Sequence, residues 1–302
     1  MGDLSTMALT STTALTREPH IALIGGGYTL QRVAESLAPG EFVITSRNAS
    51  LCEAWRARGW HAHQVSLEDA ASIHGLFIAF PTIRRIVDSV PPLRMSADPA
   101  AGVKHLVAAM KGIGIERVIY LSTTGVFGVR DGSEVSESTP PSPWNSQGEA
   151  RWLSEQAYQK SGNPTTALRL PAIYGFDRGL VFAIRQGSYR LVGDGSSWTN
   201  RIHVDDLSQI VVAALRSEPL PPVLCVSDDC PAKAREVAEF VCAQEGVPLP
   251  TCVTEDEVMR SGGYTMLSNQ RVLNGLMKSI LGVTLRYPTY REGFYRGGKK
   301  SA

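Results

Sequence analysis

Gly25 and Gly27 stand one residue apart, directly after the apolar run His20-Ile21-Ala22-Leu23-Ile24. A glycine at the first place permits a tight turn, and one at the second lets the backbone come close to a pyrophosphate. Behind them Leu30, Val33, Ala34 and Leu37 recur at helical spacing. A helix that opens at the turn brings unpaired amide groups and the positive end of its dipole to an anion. Strand, turn and helix together predict a phosphate-binding element, with Tyr28 and Thr29 beside the phosphates. The third place of the dinucleotide fingerprint holds Leu30 instead of glycine, which is expected to push the helix slightly outward. An ordinary structural loop is the competing reading; the strand before the turn and the amphipathic helix after it weigh against that.

A site built for a ribose 2′-hydroxyl carries an acid about 20 residues past the glycines. The corresponding stretch here, Thr45-Ser46-Arg47-Asn48, has none. Arg47 can pair with a 2′-phosphate through its planar guanidinium, and Ser46 can donate to it. The expected cofactor is therefore NADP, with NAD as the alternative; a solvated surface arginine is the bland reading of Arg47.

Other reactive residues carry less. His61 and His63 fall on one strand face without a third ligand, so no metal site is expected. Five cysteines without a CxxC pair suit a reduced, cytoplasmic protein, and Cys225 and Cys230 lack the partners of a zinc site. A net charge of +1 without a basic block argues against nucleic acid and against a polybasic membrane surface. No stretch approaches the roughly 20 apolar residues that span a bilayer. The expected partner is a small-molecule substrate.

These residues need a scaffold, and the chain alternates between short apolar runs and helical spacing. Glu41–Thr45, His61–Val65, Leu76–Phe80 (ended by Pro81), Arg117–Ser122, Thr166–Leu170 and Val223–Val226 read as strands. Segments from Leu51 to Arg58, from Ala101 to Lys111 and from Asp205 to Leu215 read as helices. Asp205 or Asp206 is the expected cap of the last one. Another helix follows Ser146-Gln147-Gly148-Glu149, a capping-box pattern. Such alternation predicts an α/β fold, a Rossmann-type doubly wound parallel sheet with a small C-terminal substrate lobe. The expected organisation is a disordered leader over 1–18, a dinucleotide-binding domain over 19–174, and a part over 175–302 that returns partly to the sheet and forms the lobe.

Three further stretches carry a resemblance: Leu121-Ser122-Thr123-Thr124-Gly125-Val126-Phe127-Gly128, Arg169-Leu170-Pro171-Ala172-Ile173-Tyr174-Gly175 and Arg201-Ile202-His203-Val204-Asp205-Asp206-Leu207. With the glycine turn, they make the chain resemble the extended or atypical short-chain dehydrogenase/reductases of the NAD-dependent epimerase/dehydratase kind, from about residue 20 to about 295. The closing Tyr287–Gly293 is similar to the end of a bacterial atypical subgroup. The resemblance implies cofactor contacts from Ala79, Phe80, Pro81, Ser122, Arg151 and Pro171, and a homodimer through helices beside the fifth strand.

The same family uses a Ser or Thr, a Tyr, and a Lys one helical turn after the Tyr. The resemblance puts Thr123 at the first place, Gln147 at the second and Arg151 at the third. Gln147 has no titratable proton, and Arg151 stays charged, so neither can shuttle a proton. A strand-end hydroxyl that caps the next turn is the competing reading of Thr123. A literal Tyr295-x-x-x-Lys299 contains two glycines that discourage the helix it would need. His203 is expected to be packed and hydrogen-bonded, and Tyr174 to pack near the reactive end of the cofactor. Two functions stay open: an oxidoreductase or epimerase/dehydratase-type enzyme with a non-standard site, or a non-catalytic NADP-binding redox sensor or assembly factor.

Overall fold

The computed structural model describes residues 18–93, 96–175 and 178–294. Residues 1–17 of the expected leader and the Tyr295–Lys299 pair lie outside the described residues. Seven strands form the central sheet: β1 (Ile21–Ile24), β2 (Phe42–Ser46), β3 (His61–Gln64), β4 (Arg85–Asp88), β5 (Arg117–Thr123), β6 (Thr165–Leu170) and β7 (Val223–Cys225). Their order is β7-β6-β5-β4-β1-β2-β3, and every pairing is parallel. The order reverses between β1 and β4, which leaves a crevice at their carboxyl ends.

Side chains alternate across each strand and feed two cores. Leu23 of β1 and Ile44 of β2 pack with Leu30 and Val33 of α1 (Tyr28–Glu35), Trp55 of α2 (Ala49–Ala57) and Leu207 of the helix Val204–Arg216. Ile24 and Val43 face the other way. They meet Ile73 and Leu76 of α3 (Ala70–Ala79), Leu106 of α4 (Ala101–Ala109) and Tyr158 of α5 (Ser146–Gln159). The result is an α/β/α sandwich, a Rossmann-like doubly wound fold. Burying a side chain of this size contributes about 1.5–3 kcal/mol. Leu30 is fully buried in the first core.

Three local expectations need correction. Leu76–Phe80 is not a strand. Asp69 caps α3 by accepting the Ala71 amide at 2.9 Å, and Ile73, Leu76 and Phe77 share its buried face. Ile78 is 80% exposed, so the apolar run crosses both helix faces. The strand is β4 instead, where Arg85 and Asp88 bracket only two apolar residues. Secondly, the cap of α5 is Asn145, whose Oδ1 accepts the Gln147 and Gly148 amides; Ser146 is already helical. Thirdly, His203 caps the helix Val204–Arg216 through Nδ1. Asp205 is drawn away to Arg32 at 2.5 Å, and Asp206 accepts the amides of Arg286 and Tyr287.

Among the described residues no helix is long and apolar enough to cross a membrane. The five cysteines are unpaired.

Candidate active site

A cleft of about 1120 Å³ runs along the carboxyl ends of β1, β2, β4, β5 and β6. Its floor is the glycine turn. Gly25 takes a φ of +84°, and a Cβ there would come within 2.7 Å of Val90. Ser89 ties the turn to the end of β4 by donating to the Gly25 carbonyl oxygen at 2.7 Å. Thr45 ties it to β2, accepting the Gly25 amide at 3.1 Å. Gly26, which the fingerprint does not single out, is the tightly packed glycine: a Cβ would meet Trp55 at 2.3 Å and Ile44 at 2.8 Å.

Gly27 is different. A Cβ there would meet nothing nearer than the Gly25 oxygen at 4.0 Å, and Gly27 caps α1 without a side chain over its first amides. The turn therefore presents bare backbone at a helix N-terminus, the arrangement that accepts a pyrophosphate. Tyr28 and Thr29 line the cleft beside it, whereas Leu30 points into the core. The Tyr28 ring carries the Arg178 guanidinium 5.1 Å from its centre.

Ser46 and Arg47 line the far end of the cleft with Ser66, Leu67 and Glu68. Arg47 is exposed, and its guanidinium forms no ion pair among the described residues. Ser46 Oγ accepts the Asn48 amide at 3.1 Å, which orients its hydroxyl group beside Arg47.

At the opposite end Thr123 and Arg151 line the cleft with Ser122 and Pro171. Thr123 Oγ1 accepts the Gly125 amide at 3.1 Å, so the hydroxyl does cap the next turn, while its O–H remains available to donate. Arg151 donates through Nη1 to the carbonyl oxygens of Leu121 and Val90 and to the Tyr120 hydroxyl, at 3.1, 3.3 and 3.1 Å. These bonds hold the guanidinium at the ends of β4 and β5. One turn farther along α5, Glu155 is buried against Arg169 at 2.9 Å and accepts the Ser122 hydroxyl at 2.5 Å. Below the site Asp88 accepts the Tyr158 hydroxyl at 2.6 Å. Burial raises the Asp88 pKa to about 6, against the opposing pull of the Tyr158 and Val90 hydrogen bonds and the Arg151 charge.

A second chamber, of about 210 Å³, joins the cleft at Pro91, Pro92, Thr123 and Arg151. Gln147, one helical turn before Arg151, lines this chamber together with Trp144 and Tyr264.

Several expected site residues lie elsewhere. Ala79, Phe80 and Pro81 do not line the cleft, because they end helix α3 instead of a strand. Ser89, Val90 and Pro91 hold the place expected for them. The sequence signal for these was weak, since β4 has a two-residue apolar centre. Tyr174 and His203 are buried away from the cleft with their rings 5.1 Å apart, and His203 also meets Tyr287 at 3.9 Å. Burial raises the Tyr174 pKa further, with Asp228 adding to it. His61 and His63 pack edge-on against Phe80. Among the described residues no group of three or more His, Cys, Asp or Glu could hold a metal ion.

Comparison with known proteins bears on the fold and the family. A protein of unknown function from Silicibacter pomeroyi DSS is similar in structure, with a TM-score of 0.73, 32% identity, and coverage of 91% of this chain and 96% of that one. A 3-diazoavenalumate denitrifying reductase from Streptomyces sp. is 27% identical over 211 residues, 65% of this chain and 69% of the relative. The N-acetyl-alpha-D-glucosaminyl-diphospho-ditrans,octacis-undecaprenol 4-epimerase of Escherichia coli O157:H7 is 26% identical over 142 residues, which span only 43% of either protein. Residues 26–223 match the family described as NAD dependent epimerase/dehydratase. The chain belongs to the NAD-dependent epimerase/dehydratase family.

Proposed function

We propose that this protein binds NADP(H) and acts as an oxidoreductase whose active site works without the usual tyrosine–lysine pair. One observation carries the reading: a single cleft joins the bare glycine turn, the Arg47 guanidinium and the Thr123–Arg151 end. Gly25, Gly27, Tyr28 and Thr29 would hold the pyrophosphate. Ser46 and Arg47 would hold a 2′-phosphate, for which a planar guanidinium beside a hydroxyl is well suited. Ser122, Arg151 and Pro171 would border the ribose and the nicotinamide. When bound, the cofactor supplies or accepts a hydride at that end of the cleft.

Thr123 donates its O–H to the substrate oxygen, having its acceptor side engaged by Gly125. Gln147 offers an amide donor and acceptor in the adjoining chamber and orients the substrate without exchanging a proton. Arg151 supplies a fixed positive charge that stabilises negative charge developing on the substrate oxygen. The exchangeable proton then comes from water. A reductase relative matched over most of its length favours oxidoreduction over epimerisation, since the epimerase match spans less than half of that relative.

A second reading, a cofactor-binding sensor or assembly factor without turnover, rests on Gln147 at the place of the proton donor. NADPH fluorescence titration followed by a panel of carbonyl substrates, read by loss of NADPH absorbance, separates the two. Turnover that falls in Thr123→Ala supports the enzyme. Binding without turnover on the whole panel supports the sensor, and no binding defeats both.

A further inference from the structure

The chamber beside Gln147 differs from the main cleft in chemistry. Its walls are Trp144 and Tyr264, with rings 5.9 Å apart at 81°, and the prolines Pro91 and Pro92. Apart from Arg151 its polar side chains are neutral: the Gln147 and Asn145 amides and the hydroxyls of Thr123, Thr265 and Ser268 line it, with Thr123 at the end it shares with the cleft. Among the described lining residues the one formal charge is Arg151, which is anchored to Leu121, Tyr120 and Val90. The amides at the start of α5 cannot serve an anion, because Asn145 Oδ1 already accepts those of Gln147 and Gly148 at 3.0 Å. Arg130 stacks 4.6 Å from the Trp144 ring centre, and its charge is paired with Glu255 at 2.6 Å.

A nucleotide-linked sugar carries a diphosphate, whose recognition calls for several arginines, lysines or open helix amides. The chamber has none to give beyond Arg151. At about 210 Å³ it is also smaller than the roughly 300–1,000 Å³ pockets that take drug-sized ligands. Crossed aromatic rings and prolines favour a flat apolar body, and neutral amide and hydroxyl groups with no free charge beside them favour an uncharged carbonyl over an anion.

We propose that this chamber is a binding site for a small, uncharged, planar aromatic carbonyl compound, gripped by Trp144 and Tyr264 and hydrogen-bonded by Gln147. The proposal deepens the oxidoreductase reading by naming its substrate class, and it rests on that reading for the catalytic role of the site.

The test uses the full chain with and without NADP, and three probes followed by saturation-transfer NMR: acetophenone, cyclohexyl methyl ketone and UDP-glucose. Acetophenone should bind about fivefold more tightly than its non-planar counterpart, in line with aromatic pairing energies. UDP-glucose should not compete with it. Trp144→Leu and Tyr264→Leu should each weaken acetophenone about fivefold or more while leaving NADPH affinity within twofold. Competition by UDP-glucose at lower concentration than acetophenone overturns the proposal, as does unchanged acetophenone binding in both variants. Failure of the cofactor reading shows separately as absent NADPH binding, and the acetophenone titration of the cofactor-free chain still decides the chamber.

Discussion

Arg151 donates to the carbonyl oxygen of Leu121 at 3.1 Å, so its guanidinium bridges helix α5 and the end of β5. An arginine in this role carries its charge at every working pH. With Gln147 beside it, neither residue at the places of the family's tyrosine and lysine can exchange a proton. The kcat/KM of the wild-type protein should therefore stay within about twofold between about pH 7 and 9, where lysine-assisted tyrosines normally change state. Arg151→Ala should lower cofactor affinity about tenfold, the loss of one charge-assisted contact. A pH–rate profile with a clear pKa in that window would contradict the assignment.

The adjacent glycines of the turn should fail in different ways. A Cβ at residue 26 would press on Trp55 and Ile44, so Gly26→Ala should lower stability by about 1–3 kcal/mol through overpacking. A Cβ at residue 27 enters open space, so Gly27→Ala should keep the melting temperature and lose cofactor affinity by about tenfold or more. Thermal melts of both variants, paired with NADPH titration, check the contrast; equal effects on the two readouts would contradict it.

Glu155 and Arg169 form an ion pair with both side chains almost fully buried. Removing one partner leaves the other charge uncompensated. Glu155→Gln should lower unfolding free energy by about 3–5 kcal/mol, measured by urea denaturation. A loss below about 1 kcal/mol would mean that the pair is hydrated like a surface bridge.

Asp88 sets a pH dependence of stability. Its pKa rises from 3.8 to about 6 on folding because burial penalises the carboxylate. The folded state thus holds this proton more tightly than the unfolded chain does. The resulting stabilisation is full below about pH 4 and is lost as pH rises through about 6. Between about pH 4 and 8 the wild type should lose on the order of 2 kcal/mol more than Asp88→Asn, as linkage requires. Urea denaturation at both pH values reads the difference, and parallel slopes would rule this group out.

Much of the fold was legible because strands such as Phe42–Ser46 and Arg117–Thr123 are long apolar runs between breakers. β4 was not, since Arg85 and Asp88 flank its apolar centre and the neighbouring helix α3 exposes Ile78. That misplacement carried the site with it: the expected contacts fell on Ala79–Pro81, whereas Ser89, Val90 and Pro91 line the cleft. The caps misled for another reason. Asn145 and His203 win positions that Ser146 and Asp205 could fill by local pattern, and Asp205 is diverted by Arg32, which is distant in sequence. The glycine turn was legible from spacing, but the packing role of Gly26 depends on Trp55, which only the folded chain brings near.

In the proposed function, Arg47 makes the cleft an NADP site. The most direct measurement is the ratio of NADH to NADPH dissociation constants for the wild type and for Arg47→Ala. The wild type should prefer NADPH by about tenfold or more, the worth of a charge-assisted contact to phosphate, and the variant should bring the ratio close to one. A wild type that binds neither cofactor, or a preference that Arg47→Ala leaves unchanged, would contradict the account.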